Sequence, residues 1–276
     1  MKLSVKILAL LAFGLVLLSA TGCDKLRARD QLNKGVASYR NGKYEEAIDH
    51  FQQASSLDPK LLNAQLYLAT ALANQYTPGV ESADNSRVGN QAIDEFKKVL
   101  DENPKRDQKL TCLKGIASLY FNMKKWDETK QYHHMVAELD PNDPEAYYSI
   151  GVVDWTQAYQ QVAEAKSKEG IKVDDDITKE KKLCPALKSK ADAIVADGID
   201  NLNKALQLRP DYDDAMAYMN LLYRRKGDLQ CGDQAARQAD LKTADGWVDK
   251  TLAVKKAKAE KAPAAQGITV DQPPSQ

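Results

Sequence analysis

The chain lacks a surplus of charge of either sign. Its 276 residues include 39 Lys and Arg against 39 Asp and Glu, and 43% of the residues are hydrophobic. A balanced charge provides no basic surface of the kind that nucleic-acid-binding proteins use, so we expect no nucleic-acid partner. The hydrophobic fraction is sufficient for a folded body of one or two domains.

Signatures of catalysis and of metal binding are also lacking. The sequence has no phosphate-binding loop, no Gly-x-Ser-x-Gly turn and no His-Glu-x-x-His motif. The adjacent His133 and His134 point in different directions on a helix. Asp174, Asp175 and Asp176 lack the glycine and the later glutamate of a calcium loop. We therefore expect no enzyme, metal, cofactor or small-molecule substrate.

Long apolar runs are scarce, and the clearest one lies at the N-terminus. Lys2 and Lys6 precede an apolar stretch from Ile7 to Leu18, which is too short to span a bilayer comfortably. The small residues Ser19-Ala20-Thr21-Gly22 follow, and then Cys23. This order is typical of a signal peptide over residues 1–22. Its removal leaves 37 basic and 39 acidic residues, a net charge of −2 (39 − 2 − 39).

The sequence around Cys23 is compatible with two kinds of signal peptide. Small residues followed by a cysteine resemble the bacterial lipobox, which implies that Cys23 becomes the lipidated first residue. In the alternative, Ala20-Thr21-Gly22 is an ordinary cleavage site. Several acyl chains would anchor the chain in the bilayer almost permanently, with residues 23–27 as anchor and short tether. An aspartate directly after the lipidated cysteine, here Asp24, resembles the inner-membrane retention signal of enterobacteria. Because this rule differs among bacteria, the choice between the inner and the outer membrane stays open.

A helical repeat begins directly after this segment. Between residues 28 and 61, a 34-residue helix–turn–helix pattern places Gly35, Ala47, Phe51, Ala54 and Pro59 at fixed offsets. Weaker copies follow, and the pattern predicts a proline at position 32 that ends the second helix of each repeat. The prolines at this position are Pro59, Pro104, Pro141 and Pro210, and the fifth repeat lacks one. Small residues at positions 8 and 20 let the two helices approach closely.

These residues resemble the tetratricopeptide repeat (TPR) family over 28–258, and the chain as a whole resembles a bacterial TPR lipoprotein. The resemblance implies an all-α fold, a TPR-type right-handed α-solenoid of about five repeats. The fourth repeat is an extended hairpin, with helices from Pro144 to about Lys168 and from Pro185 to about Leu208. A sixth repeat is excluded because it would place Pro185 inside a helix. Residues 259–276 are expected to be a disordered tail.

Three insertions interrupt the turn between the two helices of a repeat. They lie within Thr77–Gln91, within Ala158–Asp197 and around Cys231. Turns of this kind share one edge of a stacked array. We expect an elaborated edge there, which is either a specificity surface or a set of tolerated insertions.

The resemblance also implies a concave groove, lined by positions 2, 5, 9, 12 and 13 of the first helix of each repeat. Its apolar area and polar donors would suit a peptide, although some aromatic residues could instead pack on a neighbouring helix. The lysine–asparagine clamp of chaperone-binding members is absent, because its first-repeat positions hold Leu32 and Val36. The candidate groove residues are Leu32, Val36, Tyr39, Arg40, Leu66, Asn74, Phe121, Asn122, Tyr148, Trp155, Arg224 and Arg225.

Two cysteines share the elaborated edge in neighbouring repeats. Cys184 precedes the second helix of the fourth repeat, and Cys231 lies in the turn of the fifth. They could form a disulfide in an oxidising envelope compartment, provided that the geometry permits it.

The function implied is that of a scaffold without catalysis. We expect an exported, lipid-anchored protein of the bacterial cell envelope that binds protein partners in or near the membrane. The alternative is an accessory that recruits or regulates cell-wall hydrolases.

Overall fold

The computed structural model describes residues 23–172 and 175–261. Every regular element in these residues is a helix, which confirms the all-α fold. Residues 1–22, where the sequence predicts a signal peptide, and residues 262–276 of the predicted tail lie outside the described part. The ten helices of the described residues are α1 (23–40), α2 (Tyr44–Leu57), α3 (Leu62–Gln75), α4 (Ala83–Asp101), α5 (Arg106–Asn122), α6 (Trp126–Leu139), α7 (Pro144–Lys168), α8 (Leu183–Leu208), α9 (Asp213–Asp228) and α10 (Gln234–Lys261).

The chain divides into two compact units between Pro141 and Asn142. The first unit contains α1 to α6, and α3 packs against both α4 and α5. The second unit contains α7 to α10, and α7 packs against both α8 and α9. Contacts between the first helices of successive repeats, α3 with α5 and α7 with α9, are the stacking expected of a TPR-type solenoid.

The predicted proline stops agree with the helix ends. Helices α2, α4, α6 and α8 each end two or three residues before a position-32 proline. Helix α7 has the predicted bounds, and α8 ends at the predicted Leu208. Pro185 lies in the first turn of α8, where its missing N–H leaves no helical hydrogen bond unmade.

Small residues at position 8 are required by close helix contacts. A Cβ added to Gly35 would lie 2.5 Å from Phe51 Cε1, and one added to Gly151 would lie 2.6 Å from Leu202 Cγ. The cores form where these helices cross. Phe51, Phe96 and Ile116 are buried in the first unit, and the buried residues of the second include Leu202.

Three segments differ from their predicted form. Residues 23–27, expected as a tether, are helical and belong to α1. The second half of the Thr77–Gln91 insertion is also helical, because Ser82 caps α4 by accepting a hydrogen bond from the Asn85 backbone N–H at 3.1 Å. Helix α10 continues to Lys261, since no proline or glycine interrupts it there, so residues 259–261 are helical as well.

Candidate functional site

Candidate groove residues from the first two repeats converge on one cavity in the first unit. The cavity has a volume of about 520 Å³ and opens to solvent. Four of the candidate groove residues line it, together with Thr70, which occupies groove position 9 of the second repeat, and three further residues. The lining residues are Val36, Tyr39, Arg40, Phe51, Leu66, Tyr67, Thr70 and Thr111. We refer to this cavity as the first groove.

Helices α1, α2, α3 and α5 position these side chains. Val36 and Arg40 are one turn apart on α1, so they share a face of that helix. Helix α3 contributes Leu66, Tyr67 and Thr70, and its sequence LNAQLYLATALANQ contains no charged residue. The first groove therefore has an uncharged helix as one wall.

A hydrogen bond across the first groove holds two of its helices together. The Asn74 amide of α3 donates to the Tyr39 hydroxyl of α1. Tyr39 also makes an edge-on ring contact with Tyr44, with ring centroids 5.3 Å apart. Tyr39 is thus fixed before any partner arrives, which lowers the entropy lost on binding.

The remaining polar groups of the first groove differ in how they are satisfied. The Thr70 hydroxyl donates to the Leu66 carbonyl at 2.8 Å, and the Thr111 hydroxyl donates to the Asp107 carbonyl at 2.9 Å. Among the described residues, neither the Arg40 guanidinium nor the Tyr67 hydroxyl has a hydrogen-bond partner. Tyr67 is 42% exposed and packs on Phe51, with ring centroids 5.7 Å apart.

The candidate aromatic residues of the second unit pack against one another instead. Tyr148 and Trp155 of α7 both contact Tyr218 of α9, with ring centroids 5.7 and 5.4 Å apart. Trp155 also stacks on Tyr159 at 5.4 Å. Burial raises the pKa of Tyr148 and of Tyr218, so both rings stay neutral. These aromatics form a packed layer between helices.

The two candidate arginines of the second unit are also engaged. Arg224 forms an ion pair with Asp245 at 2.8 Å and donates to Asn220 at 2.9 Å. Arg225 pairs with Asp228 at 2.9 Å. Burial raises the pKa of Asp228, against the opposing effect of Arg225. Both guanidinium groups therefore already form ion pairs within the second unit.

Three further candidate residues lie outside the first groove. Leu32 packs on the core of the first unit. Phe121 makes an edge-on contact with Trp126, with ring centroids 5.6 Å apart. Asn122 lines a second cavity of about 380 Å³, between the Thr77–Gln91 insertion and the turn that follows α5. Val80, which is 50% exposed, forms part of this cavity.

In the second unit, a disulfide joins Cys184 to Cys231, with Cα atoms 5.6 Å apart. The bond connects the start of α8 to the turn before α10. Around it, the Gly232 N–H donates to the Thr178 carbonyl at 2.8 Å, and the Gln234 amide donates to the Thr178 hydroxyl at 2.8 Å. The two inserted turns of this unit are therefore held together covalently and by hydrogen bonds.

Sequence reasoning did not name Tyr67 or Thr111 as groove residues. Thr111 occupies position 2 of the third repeat, so the family pattern contained a signal for it. Tyr67 occupies position 6, which that pattern does not assign to the groove, and only the packing of its ring on Phe51 places it there.

The described residues, 23–172 and 175–261, contain neither a metal-ligand cluster nor a membrane-spanning helix. No group of three or more His, Cys, Asp or Glu side chains in them is arranged to hold a metal ion. No helix among them has the length and apolar character needed to cross a membrane.

Comparisons with known proteins agree with this architecture. Residues 28–61 match the tetratricopeptide repeat family. One relative is the Photosystem I assembly protein Ycf3 of Prochlorococcus marinus, which is 24% identical over 115 residues. The match covers 42% of this chain, and the chain spans about 60% of the length of that curated relative.

Similar solved structures include two of the protein MamA. The crystal structure of MamA has a TM-score of 0.57 and 16% identity, with 86% of this chain and 97% of that chain covered. MamA residues 41-end from Desulfovibrio magneticus RS-1 gives a TM-score of 0.55 and 17% identity, over 84% of this chain and 97% of that one. The repeat match and these likenesses support a TPR protein, a class whose folds are generally non-catalytic protein-interaction modules.

Proposed function

We propose that this protein is a membrane-anchored adaptor of the bacterial cell envelope that binds a protein partner in the first groove. The observation that carries the proposal is the first groove itself. It combines an open apolar surface with a guanidinium and a phenol that have no internal hydrogen-bond partner among the described residues. Such a surface gains free energy when an apolar side chain covers it and an acceptor meets its donors.

The first unit is favoured over the second for this role. In the second unit, the corresponding aromatic side chains already bury their faces against Tyr218, and Arg224 and Arg225 are already in ion pairs. A partner there would have to replace contacts that the fold has made. In the first groove, Arg40 and Tyr67 are exposed, and no such exchange is needed.

The location of Cys23 supports attachment of the groove near a membrane. Cys23 is exposed and lies at the start of the described part of α1, the helix that carries Val36 and Arg40. At about 1.5 Å per residue, Arg40 lies about 26 Å along the helix from Cys23. A lipid on Cys23 would therefore hold the first groove close to the bilayer surface, within reach of membrane-bound partners. The disulfide fits an oxidising envelope compartment.

The similarity to a relative named as an assembly protein is consistent with a role in organising a complex. We infer that the partner is a protein and that this chain contributes binding, with no reaction of its own. The first groove would provide affinity, and the second cavity, which Val80 and Asn122 line, would add specificity.

Photo-crosslinking at matched tyrosines tests the site. A benzophenone amino acid replaces Tyr67 in the anchored protein of the native host, and Tyr159 in a control. Both tyrosines are similarly exposed, at 42% and 37%, but only Tyr67 lines the first groove. We expect a defined protein adduct from position 67. Adducts from position 159 alone would contradict the proposal. The identity of the adduct also distinguishes a complex scaffold from an accessory of cell-wall hydrolases.

The anchor is tested separately. Mass spectrometry of the mature N-terminus should find acylated Cys23, and an exported variant with Cys23→Ala behind an ordinary signal peptide should leave the membrane fraction. An unmodified Cys23 would mean an ordinary signal peptide. Unchanged partner capture by the released variant would mean that the anchor plays no part in binding.

A further inference from the structure

The donors of the first groove indicate the chemistry of its partner. Arg40 carries a guanidinium that is always charged and has no ion-pair partner among the described residues. The threonine hydroxyls beside it donate to backbone carbonyls of their own helices, so they offer few hydrogen bonds to a partner. A partner must therefore supply acceptors, and a negatively charged acceptor gains most beside a guanidinium.

The charge pattern around the first groove has one sign. Arg40 is the charged residue among those that line it. The groove positions of the first three repeats, which α1, α3 and α5 carry, add Arg29 and Lys114 and contain no Asp or Glu. Arg29, Val36 and Arg40 follow one stripe of α1, because seven and eleven residues complete nearly whole helical turns. Asp107, one turn before Thr111, is the first carboxylate met along that face of α5.

This positive stripe contrasts with the chain as a whole. The mature chain has a small acidic excess (39 − 2 = 37 basic against 39 acidic residues). A local cationic stripe on a chain of nearly balanced charge favours partners that carry negative charge at this site.

We propose that the first groove binds an acidic segment of a protein partner. An Asp or Glu of that segment pairs with Arg40, and a neighbouring apolar side chain covers Leu66 and the aromatic ring at position 67. The segment is recognised through its side chains, because the clamp positions for a terminal carboxylate hold Leu32 and Val36. This inference rests on the proposed use of the first groove.

A matched pair of charge reversals tests the inference. Arg40→Glu reverses the charge in the first groove. Lys34→Glu changes the net charge by the same amount on the same helix, but Lys34 lies about 200° around α1 from Val36 and pairs with Asp30 at 2.7 Å. Each variant is made in the anchored protein with the benzophenone at position 67, and membrane localisation and helical content are checked against the parent protein.

Two readouts are taken. The first is the yield of the protein adduct, which we expect to fall about five-fold or more in Arg40→Glu and to stay near the parent value in Lys34→Glu. The second is the sequence of the crosslinked partner peptide by mass spectrometry. We expect it to contain more Asp and Glu than Lys and Arg, with an apolar residue beside them.

The outcomes separate this inference from the proposed function. A protein adduct whose peptide lacks an acidic surplus, or whose yield survives Arg40→Glu, overturns the acidic-segment inference and leaves the groove as the binding site. Lipid adducts at position 67 overturn it in favour of an anionic headgroup. The absence of any adduct at position 67 removes the proposed function, and this inference with it.

Discussion

Cys184 and Cys231 are separated by 47 positions in the sequence, yet their Cα atoms are 5.6 Å apart and their sulfurs are bonded. Cys184 is fully buried, and Leu229, which lies just before Cys231 in the sequence, is also buried. The bond thus joins the start of α8 to the last turn of the second unit. The disulfide therefore connects the two inserted turns of this unit, and its Cys184 end is buried.

The disulfide should stabilise the second unit substantially. In the chain-entropy model, a loop of this length contributes about 3–4 kcal/mol, so Cys184→Ala with Cys231→Ala should lower the unfolding free energy by that order. Tryptophan fluorescence in a Trp126→Phe background reports this unit, because the remaining Trp155 and Trp247 both lie in it. Denaturant midpoints that do not change between the oxidised protein and the double variant would contradict the expectation.

Cys112 should be unreactive until the first unit unfolds. It is fully buried, and burial raises the pKa of its thiol to about 12. At pH 8 this makes the thiolate fraction roughly a thousandfold smaller than that of an ordinary cysteine. Pulsed alkylation with iodoacetamide, read by mass spectrometry, should label Cys112 in urea and leave it unlabelled in the native chain of residues 24–276. Equal labelling in both conditions would show that the thiol is accessible.

Replacing Gly151 should destabilise the crossing of α7 and α8. A Cβ at this position would lie 2.6 Å from Leu202 Cγ and 3.2 Å from the Gly198 carbonyl oxygen. The steric strain should outweigh the gain from the higher helix propensity of alanine, so Gly151→Ala should lower the free energy of unfolding by about 1–2 kcal/mol.

Gly246 provides the matched control, because it is also a helical glycine and a Cβ there would meet nothing within 4 Å. Gly246→Ala should stabilise the second unit by up to about 1 kcal/mol. Chemical denaturation of both variants measures the two effects. A stabilising Gly151→Ala would mean that α7 and α8 approach less closely than described.

The end of α10 should be sensitive to acid. The hydrogen bond from Lys258, at 2.6 Å, lowers the pKa of Asp213, while the same contact raises the pKa of Lys258. Because the pKa of Asp213 is lower in the folded chain than in the unfolded chain (about 3.9), the contact stabilises the fold above the unfolded pKa. This stabilisation is lost as the pH falls through the folded pKa. The pKa of Lys258 is higher in the folded chain than in the unfolded chain (about 10.4). The corresponding stabilisation is therefore lost only at high pH, as the pH rises through the folded pKa.

Thermal unfolding between pH 2 and 7 tests this contact. Asp213→Asn should remove part of the acid-dependent loss of stability. Asp249→Asn, which changes an exposed carboxylate of α10 without an ion pair among the described residues, should leave the profile close to that of the parent chain. Identical profiles for all three proteins would show that the contact contributes nothing in solution.

The helices were largely readable from the sequence, because their signals are local. The prolines at position 32 ended four helices near their predicted ends, and Pro144 opened α7 as expected. Gly35 and Gly151 marked the helix crossings because any larger residue would collide there. The helical start of α4 within the insertion was missed, since its cap depends on Ser82 and Asn85 closing a specific loop.

The candidate site was only partly readable. The repeat register named Val36, Tyr39, Arg40 and Leu66, and all four line the first groove. The same register named Trp155, Arg224 and Arg225, which the structure engages internally. Register gives the face of a helix, but it does not tell which neighbouring side chains will reach that face.

The sequence by itself determined that this chain folds as stacked helical hairpins, because helix periodicity, small crossing residues and stop prolines act within one repeat. Tertiary structure decided which concave face stays open. In the second unit, Tyr218 and Asp245 of neighbouring helices and Asp228 of the same helix engage the candidate residues of that face. In the first unit, an uncharged α3 leaves Arg40 and Tyr67 without hydrogen-bond partners among the described residues. Long-range packing sets that difference, as it sets the approach of Cys184 to Cys231.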